Sequence, residues 1–175
     1  MQRFDDLLLH FFGNLQMPVL NEIMIFISAI GNAGIIWIAL GLVLICFKKT
    51  RKTGITVLIA LIISLLIGNL TIKPLVARQR PFEANELSLL ISPPKDRSFP
   101  SGHAMSSFAA SVAVILTNRK LGIPAICVAV LIAFSRLYLQ VHYFTDVVVG
   151  IILGILYAII ANAIVKYISN KKQLS

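Results

Sequence analysis

Residues 54–72, GITVLIALIISLLIGNLTI, form a run of nineteen residues without a charged side chain. As a helix rising ~1.5 Å per residue, this run would be roughly 28 Å long, which is close to the thickness of the hydrocarbon core of a bilayer. Such a run predicts a helix that crosses a membrane. The rest of the chain has to be compatible with that environment.

Further apolar runs repeat this pattern along the chain. The most C-terminal is FTDVVVGIILGILYAIIANAIV, and the most N-terminal is short and interrupted by Glu22. Together they predict an all-α bundle of about six spans that forms a single domain over residues 1–175. Within it, residues 1–31 are expected to form short or interfacial N-terminal helices. The further runs are residues 18–31, 34–47, 103–116, 123–139 and 144–165.

Composition excludes a soluble protein and a nucleic-acid binder. Hydrophobic residues make up 58% of the chain and charged residues only 13%, too few to cover a surface in water. The net charge is +9, but nine of the sixteen Lys/Arg residues lie in clusters at 48–52, 119–120 and 166–172, which follow apolar runs instead of lining one face. Cys46 and Cys127 lie inside apolar runs, so neither a disulfide framework nor a CxxC metal site is expected.

The same basic clusters predict the orientation of the chain. They are separated by even numbers of spans, so one assignment places all of them in the cytoplasm. The 73–100 loop then faces outward, although it contains five prolines and several basic residues that an external loop should lack. An anionic ligand is the simplest reason for the basic residues. They are Lys73, Arg78, Arg80, Lys95 and Arg97.

Three short segments on the predicted outer side hold nearly all the reactive side chains: KPLVARQRP, PSGH and SRLYLQVHYFTD. Each alone has an ordinary structural explanation: interfacial anchors for Lys73 and Arg80, a helix start for PSGH, and a structural ion pair for Arg136 and Asp146. Ionisable groups at the ends of spans are costly unless they are paired, solvated or functional. Their combination on one face is typical of a site that handles phosphate.

Two histidines can divide the chemistry between them. His142 and Asp146 are four residues apart at a helix start, so the carboxylate can accept a proton from one imidazole nitrogen and leave the other free to attack. His142 is therefore the predicted nucleophile, which forms a phosphohistidine, and Asp146 orients it. His103 is the predicted general acid for the leaving lipid oxygen.

The remaining site residues are predicted to bind the phosphoryl oxygens. Lys73, Arg80 and Arg136 supply positive charge, with paired donors from the arginines. Ser101 and Gly102 open a helix, where backbone N–H groups and the helix dipole favour an anion.

The ordered pattern KxxxxxxRP, PSGH, SRxxxxxHxxxD resembles the three-part signature of the type 2 phosphatidic acid phosphatase family. The resemblance covers residues 73–146, and the span pattern extends it over most of the chain. It implies a multi-pass lipid phosphatase that needs no metal or other cofactor, with the second motif's histidine as acid and the third motif's as nucleophile. The family also resembles vanadium-dependent haloperoxidases, which implies that vanadate inhibits.

The resemblance leaves the substrate open. Compact bacterial members of the family act on phosphatidylglycerol phosphate, undecaprenyl diphosphate, phosphatidic acid or lipid A, and the first two are favoured here. The predicted location is a bacterial plasma membrane with the site facing outward, and no obligate protein partner or nucleic acid is expected. A non-catalytic protein that binds or translocates lipids is the alternative, although binding alone needs no nucleophile and acid.

Small residues at helical spacing predict close packing between spans. Ala125, Ala129 and Ala133 recur every four residues, and Gly150 with Gly154 forms a GxxxG pattern. No chemistry is expected from these positions.

Overall fold

The computed structural model describes residues 2–174, and all regular structure in that range is helical. A 3₁₀ turn at Asn32–Gly34 separates the second and third helices, and a π-helical segment at Ser64–Ile72 continues the fourth. The helices are α1 (Gln2–Asn14), α2 (Pro18–Ile30), α3 (Ile35–Cys46), α4 (Arg51–Ile63), α5 (Lys73–Val76), α6 (Pro81–Asn85), α7 (Gly102–Thr117), α8 (Arg119–Tyr138) and α9 (Phe144–Leu174). The predicted all-α class is confirmed.

Helix length and composition alone identify fewer spans than the predicted six. In the described residues three helical stretches are long and apolar enough to cross a bilayer: Arg51–Asn85, Arg119–Tyr138 and Phe144–Lys171. The pair Pro18–Ile30 and Asn32–Cys46, which is bent by 41° at its break, counts as a fourth if it is one span. Helix α7 is apolar but shorter. Six spans are therefore not confirmed.

Helix α7 lies at the centre of the bundle, where α4, α8 and α9 pack against it. Its sequence explains this position, because alanine and serine let neighbouring helices approach its backbone from several sides. Trp37 of α3 reaches the same core, and its indole N–H donates to the Ser107 hydroxyl at 2.9 Å. The buried residues of α7 are Ala104, Met105, Ser107, Ala109, Ala110, Ser111, Ala113 and Val114.

The GxxxG pattern forms the contact between α9 and α7. A Cβ atom at Gly150 would lie 2.8 Å from the carbonyl oxygen of Ser101, and one at Gly154 would lie 2.5 Å from that of Met105. Only glycine permits this approach of two backbones. The contact fixes the start of α9 beside the start of α7, which brings the second and third motifs together.

The N-terminal helix α1 packs at the end of the bundle where α8 ends and α9 begins. Phe12 packs with Ala133 and Leu137 of α8 and with Val147 of α9. The Gln140 side chain, in the connection between α8 and α9, donates to the carbonyl oxygen of Leu9 at 3.0 Å. Helix α1 therefore covers the end of the bundle that carries the predicted site.

Candidate active site

The first motif lies where a membrane helix breaks into short turns. The π-helical segment ends at Ile72, α5 follows for one turn, and Ala77 ends α5 in the left-handed conformation with φ of 50°. Arg80 is extended, and its backbone N–H donates to the Glu83 side chain at the start of α6. This path buries Lys73 and Arg80, which are only 5% and 2% exposed.

The guanidinium of Arg80 is nearly saturated with protein partners. Its Nε donates to the Asp96 carbonyl oxygen at 2.7 Å, and its Nη2 donates to the Asp96 carboxylate at 2.6 Å. Its Nη1 donates to the Val141 carbonyl oxygen at 2.6 Å and lies 3.3 Å from His142 Nε2. An arginine has five N–H groups, so one hydrogen on Nη2 is left for a ligand.

Asp96 is a site residue that the sequence analysis missed. Its carboxylate also pairs with Lys73 Nζ at 2.5 Å, so it joins two of the three predicted phosphate-binding cations. Partial burial opposes its ionisation, but the hydrogen bonds and charges of Lys73 and Arg80 outweigh this and lower the pKa of the Asp96 carboxyl group. Its position between Lys95 and Arg97 in the 73–100 loop is the only signal that the sequence offers.

The second motif begins α7, and only some of its residues line the cavity. Gly102 and His103 line a cavity, whereas Ser101 is fully buried behind it. The Ser101 backbone N–H donates to the Asp146 carbonyl oxygen at 3.0 Å, so this predicted phosphate donor is already used. Its hydroxyl has no partner among the described residues. Phosphate binding by Ser101 therefore stays a prediction for the hydroxyl.

His103 is held by a residue outside the three motifs. Its Nε2 lies 3.0 Å from Asn32 Oδ1, in the 3₁₀ turn between α2 and α3. Because an amide oxygen only accepts, this nitrogen carries the hydrogen in the contact with Asn32. The turn GNAG indicates a break between helices, but nothing in it predicts which helix it meets.

The third motif places Arg136 and His142 at the same cavity. Arg136 is 3% exposed at the end of α8, its Nη1 donates to the Ser28 hydroxyl of α2, and its Nε has no partner among the described residues. His142 lies in the connection between α8 and α9 and is 2% exposed. Gln140 gives this connection a sharp turn with φ of 54°.

The neighbours of His142 fix its tautomer. Arginine has no acceptor, so Nε2, which lies 3.3 Å from Arg80 Nη1, must be the unprotonated nitrogen. The hydrogen is then on Nδ1, which lies 3.6 Å from Asp146 Oδ2, longer than a hydrogen bond. Burial, reinforced by the charges of Arg80 and Arg136, lowers the pKa of His142 well below its ordinary value. The ring is therefore neutral near pH 7, with a lone pair on Nε2.

Asp146 is fully buried behind His142, and several groups satisfy its carboxylate. Oδ2 accepts from the Ser98 hydroxyl and from the Tyr143 backbone N–H at 3.0 Å. Oδ1 accepts from Arg78 Nη1 at 2.6 Å. Arg78 is a second residue that the sequence analysis placed in the basic loop without assigning it to the site.

These residues line a cavity of about 1150 Å³ that has one polar end and one apolar end. The apolar end is lined by Ile38 of α3, Leu58 and Ile62 of α4, and Leu65 of the π-helical segment that follows α4. Three of these side chains, those of Ile38, Ile62 and Leu65, are 42% to 54% exposed. The polar end is lined by Lys73, Arg80, Asp96, Gly102, His103, Arg136 and His142.

Metal ligands are not grouped in the described residues. Within residues 2–174, no three His, Cys, Asp or Glu side chains come close enough together to hold a metal ion. Independence from metal stays a prediction that a chelator can test.

The family is decided by a match that covers most of the motif-bearing chain. A family model described as the PAP2 superfamily matches residues 53–170. The chain belongs to the PAP2 superfamily. The resemblance noted from the three motifs is confirmed, and with it the prediction of a lipid phosphatase among the hydrolases.

Two curated relatives and one solved structure show how far the similarity extends. The undecaprenyl-diphosphatase of Sulfolobus acidocaldarius is 39% identical over 141 residues, which cover 79% of this chain and 68% of the relative. Undecaprenyl-diphosphatase BcrC of Bacillus subtilis is 36% identical over 147 residues, covering 79% and 74%. The crystal structure of a transmembrane PAP2-type phosphatidylglycerolphosphate phosphatase from Bacillus subtilis superposes with a TM-score of 0.79 at 26% identity, covering 95% of this chain and 87% of that one. This PAP2 phosphatase is thus a membrane protein with the fold of its solved relative.

Proposed function

We propose that this PAP2 phosphatase hydrolyses the terminal phosphate of a polyprenyl diphosphate, with undecaprenyl diphosphate as the substrate. The observation that carries the proposal is the polar end of the cavity. Three cations and two histidines, which come from three separate motifs, line it together. The two curated relatives named undecaprenyl-diphosphatase support the choice of lipid. The apolar end of the cavity can take the first part of an isoprenoid chain.

The proposed reaction has two steps. His142 Nε2 attacks phosphorus, the bond from phosphorus to the leaving oxygen breaks, and His103, in its imidazolium form, gives that oxygen a proton and becomes neutral. A water molecule then gives a proton back to His103 and attacks phosphorus, which breaks the phosphorus–nitrogen bond and releases phosphate. Lys73, Arg80 and Arg136 stabilise the charge on the equatorial oxygens.

Asp146 has a supporting role in this mechanism. When Nε2 bonds to phosphorus, the imidazole becomes positively charged, and the carboxylate facing Nδ1 stabilises that charge. The 3.6 Å separation in the empty site is compatible with this role, because catalytic hydrogen bonds often shorten when substrate binds. Gly102 and the Ser101 hydroxyl complete the proposed phosphate site.

We propose that the chain crosses the membrane five times and that the site faces outward. The 41° bend lets α2 and α3 cross as one broken span, followed by α4 to α5, then α7, α8 and α9. The Lys/Arg-rich segments 48–52, 119–120 and 166–172 then share one side, which the positive-inside rule assigns to the cytoplasm. In a bacterial cell, this is the plasma membrane with the motifs on its external face.

The proposal is tested by phosphate release from purified protein in the presence of EDTA. The substrates are undecaprenyl diphosphate, phosphatidylglycerol phosphate, phosphatidic acid and lipid A, each assayed with wild type and His142→Ala. We expect release to be fastest from the diphosphate and to disappear in His142→Ala. His10→Ala, at an exposed histidine on α1, is the matched control. Full activity of His142→Ala would contradict the phosphohistidine mechanism.

Phosphatidylglycerol phosphate is the second candidate substrate. The specific support is the superposition with the Bacillus subtilis phosphatidylglycerolphosphate phosphatase. Faster His142-dependent release from this lipid than from the diphosphate would decide in its favour. No release from any of the four lipids would favour the lipid-binding or lipid-translocating alternative.

A further inference from the structure

A buried ion network lies directly behind the proposed nucleophile and joins α1 to it. The Arg78 guanidinium lies between two carboxylates that are both fully buried, those of Asp5 and Asp146. Its Nη2 donates to Asp5 Oδ2 at 2.8 Å, and its Nη1 donates to Asp146 Oδ1 at 2.6 Å. The Tyr143 ring covers the guanidinium at 4.0 Å from its centroid.

Arg78 restricts the rotation of the Asp146 carboxylate. With Oδ1 held by Nη1, the other oxygen, Oδ2, is the one that faces His142 Nδ1. The same Nη1 also donates to the Thr145 hydroxyl at 2.8 Å, so the planar guanidinium holds two adjacent residues at the start of α9. Without Arg78, Asp146 would be a buried carboxylate with no full positive charge against it, because His142 is neutral.

Asp5 in turn holds Arg78 and the start of α9. Its Oδ2 accepts from Arg78 and from the Thr145 hydroxyl, the latter at 2.6 Å, and its Oδ1 accepts from the Thr145 backbone N–H at 3.1 Å. Every partner of this carboxylate is a group that also contacts or adjoins Asp146. Asp5 lies in α1, outside the range 53–170 that the family model covers.

From these contacts we infer that Arg78 is a positioning residue for Asp146, and that Asp5 makes the N-terminal helix part of the catalytic support. This inference rests on the proposed function, in which Asp146 stabilises the charged His142. The network acts on the transition state, where the imidazole charge develops, and leaves the binding of the lipid phosphate to other residues. Substitutions in it should therefore lower kcat and leave KM little changed.

The test is a double-mutant cycle on kcat with wild type, Arg78→Gln, Asp146→Asn and the double variant. We expect Arg78→Gln to lower kcat on the order of 10- to 100-fold, the scale known for residues that orient the ligands of a metal site through hydrogen bonds. In the Asp146→Asn background the same substitution should change kcat by less than about threefold, because the carboxylate it positions is gone. Equal fold losses in both backgrounds would overturn the inference.

Thermal unfolding of each variant separates positioning from folding. If Arg78→Gln does not fold, Arg78→Lys takes its place in the cycle, since lysine keeps the charge but not the two-pronged geometry. Arg119→Gln, at an exposed arginine on the opposite end of α8, is the control for loss of a positive charge. For α1, Asp5→Asn should lower kcat while Asp6→Asn should not; equal effects of the two would remove Asp5 from the inference.

Failure of this inference and failure of the proposed function give different results. His142→Ala is assayed beside the cycle. If it retains phosphatase activity, the proposed mechanism fails whatever Arg78 does. If it is inactive while Arg78 and Asp146 act independently, only the positioning role is wrong.

Discussion

Among single residues, the motifs predicted more of the site than the loops did. The six motif residues that line the cavity are attached to defined helix ends, so their spacing in sequence carries their position in space. Asp96 and Asn32 come from irregular segments whose contacts depend on the whole bundle. No local pattern predicts which cation an aspartate in a 28-residue loop will meet, and the structure was needed to find both.

The first prediction concerns the protonation of His142. Because burial and neighbouring cations lower its pKa, its ring should stay neutral as the pH falls from 8 to 6.5. NMR of ring-labelled histidine can follow this in detergent, with His142→Gln to assign the resonance and exposed His10 as an internal reference. A His142 resonance that titrates near 6.5, the ordinary value for histidine, would contradict the prediction.

The second prediction concerns Asp96. Since its carboxylate occupies donors of Lys73 and Arg80, Asp96→Asn should free them for an external anion. We expect inorganic phosphate to inhibit this variant about tenfold more strongly than wild type, the scale of a charge-assisted hydrogen bond. Glu86→Gln, at an exposed acid in the same loop, is the control. Weaker inhibition would mean that Asp96 orients the two cations for phosphate instead of competing with it.

For whole helices, the apolar runs predicted where each helix lies in the sequence better than they predicted the angle between consecutive helices. The runs at 54–72, 123–139 and 144–165 all appear as long helices. The runs at 18–31 and 34–47 are also helical, and the bend between their helices is 41°, which does not confirm the predicted separate spans. A four-residue break can reverse a chain or merely bend it. Here contacts from distant helices, Arg136 to Ser28 and His103 to Asn32, accompany the bend.

The third prediction concerns the contact between α7 and α9. A side chain at Gly154 would meet the Met105 backbone, so Gly154→Val must push the two helices apart. We expect a loss of stability of about 1–3 kcal/mol or more, the range for overpacked cores, together with loss of activity, because the second and third motifs separate. Thermal unfolding in detergent measures it. Ile160→Val, on the exposed face of α9, should leave unfolding unchanged.

For the whole molecule, the number of crossings decides where the N-terminus lies. Five crossings put α1 on the same side as the motifs, in agreement with its contacts to Arg78 and Thr145, whereas six would put it on the other side.

The fourth prediction follows from this topology. In a background with Cys46 and Cys127 changed to serine, an impermeant thiol reagent added to intact cells should label His10→Cys and Glu86→Cys but not Lys49→Cys. These three positions are exposed. Protection of His10→Cys together with labelling of Glu86→Cys would restore the six-span prediction. Labelling of Lys49→Cys alone would mean that the chain has the opposite orientation in the membrane.

The apolar end of the cavity determines which measure of substrate concentration sets the rate of this enzyme. Because the apolar chain of a lipid phosphate stays in the hydrocarbon core, we expect the substrate to reach the apolar end of this cavity by diffusing within the plane of the bilayer. The rate therefore depends on the mole fraction of substrate among the surrounding lipids and not on its amount per volume of solution. Diluting a fixed quantity of substrate with inert phospholipid slows such an enzyme even though nothing in the aqueous phase has changed.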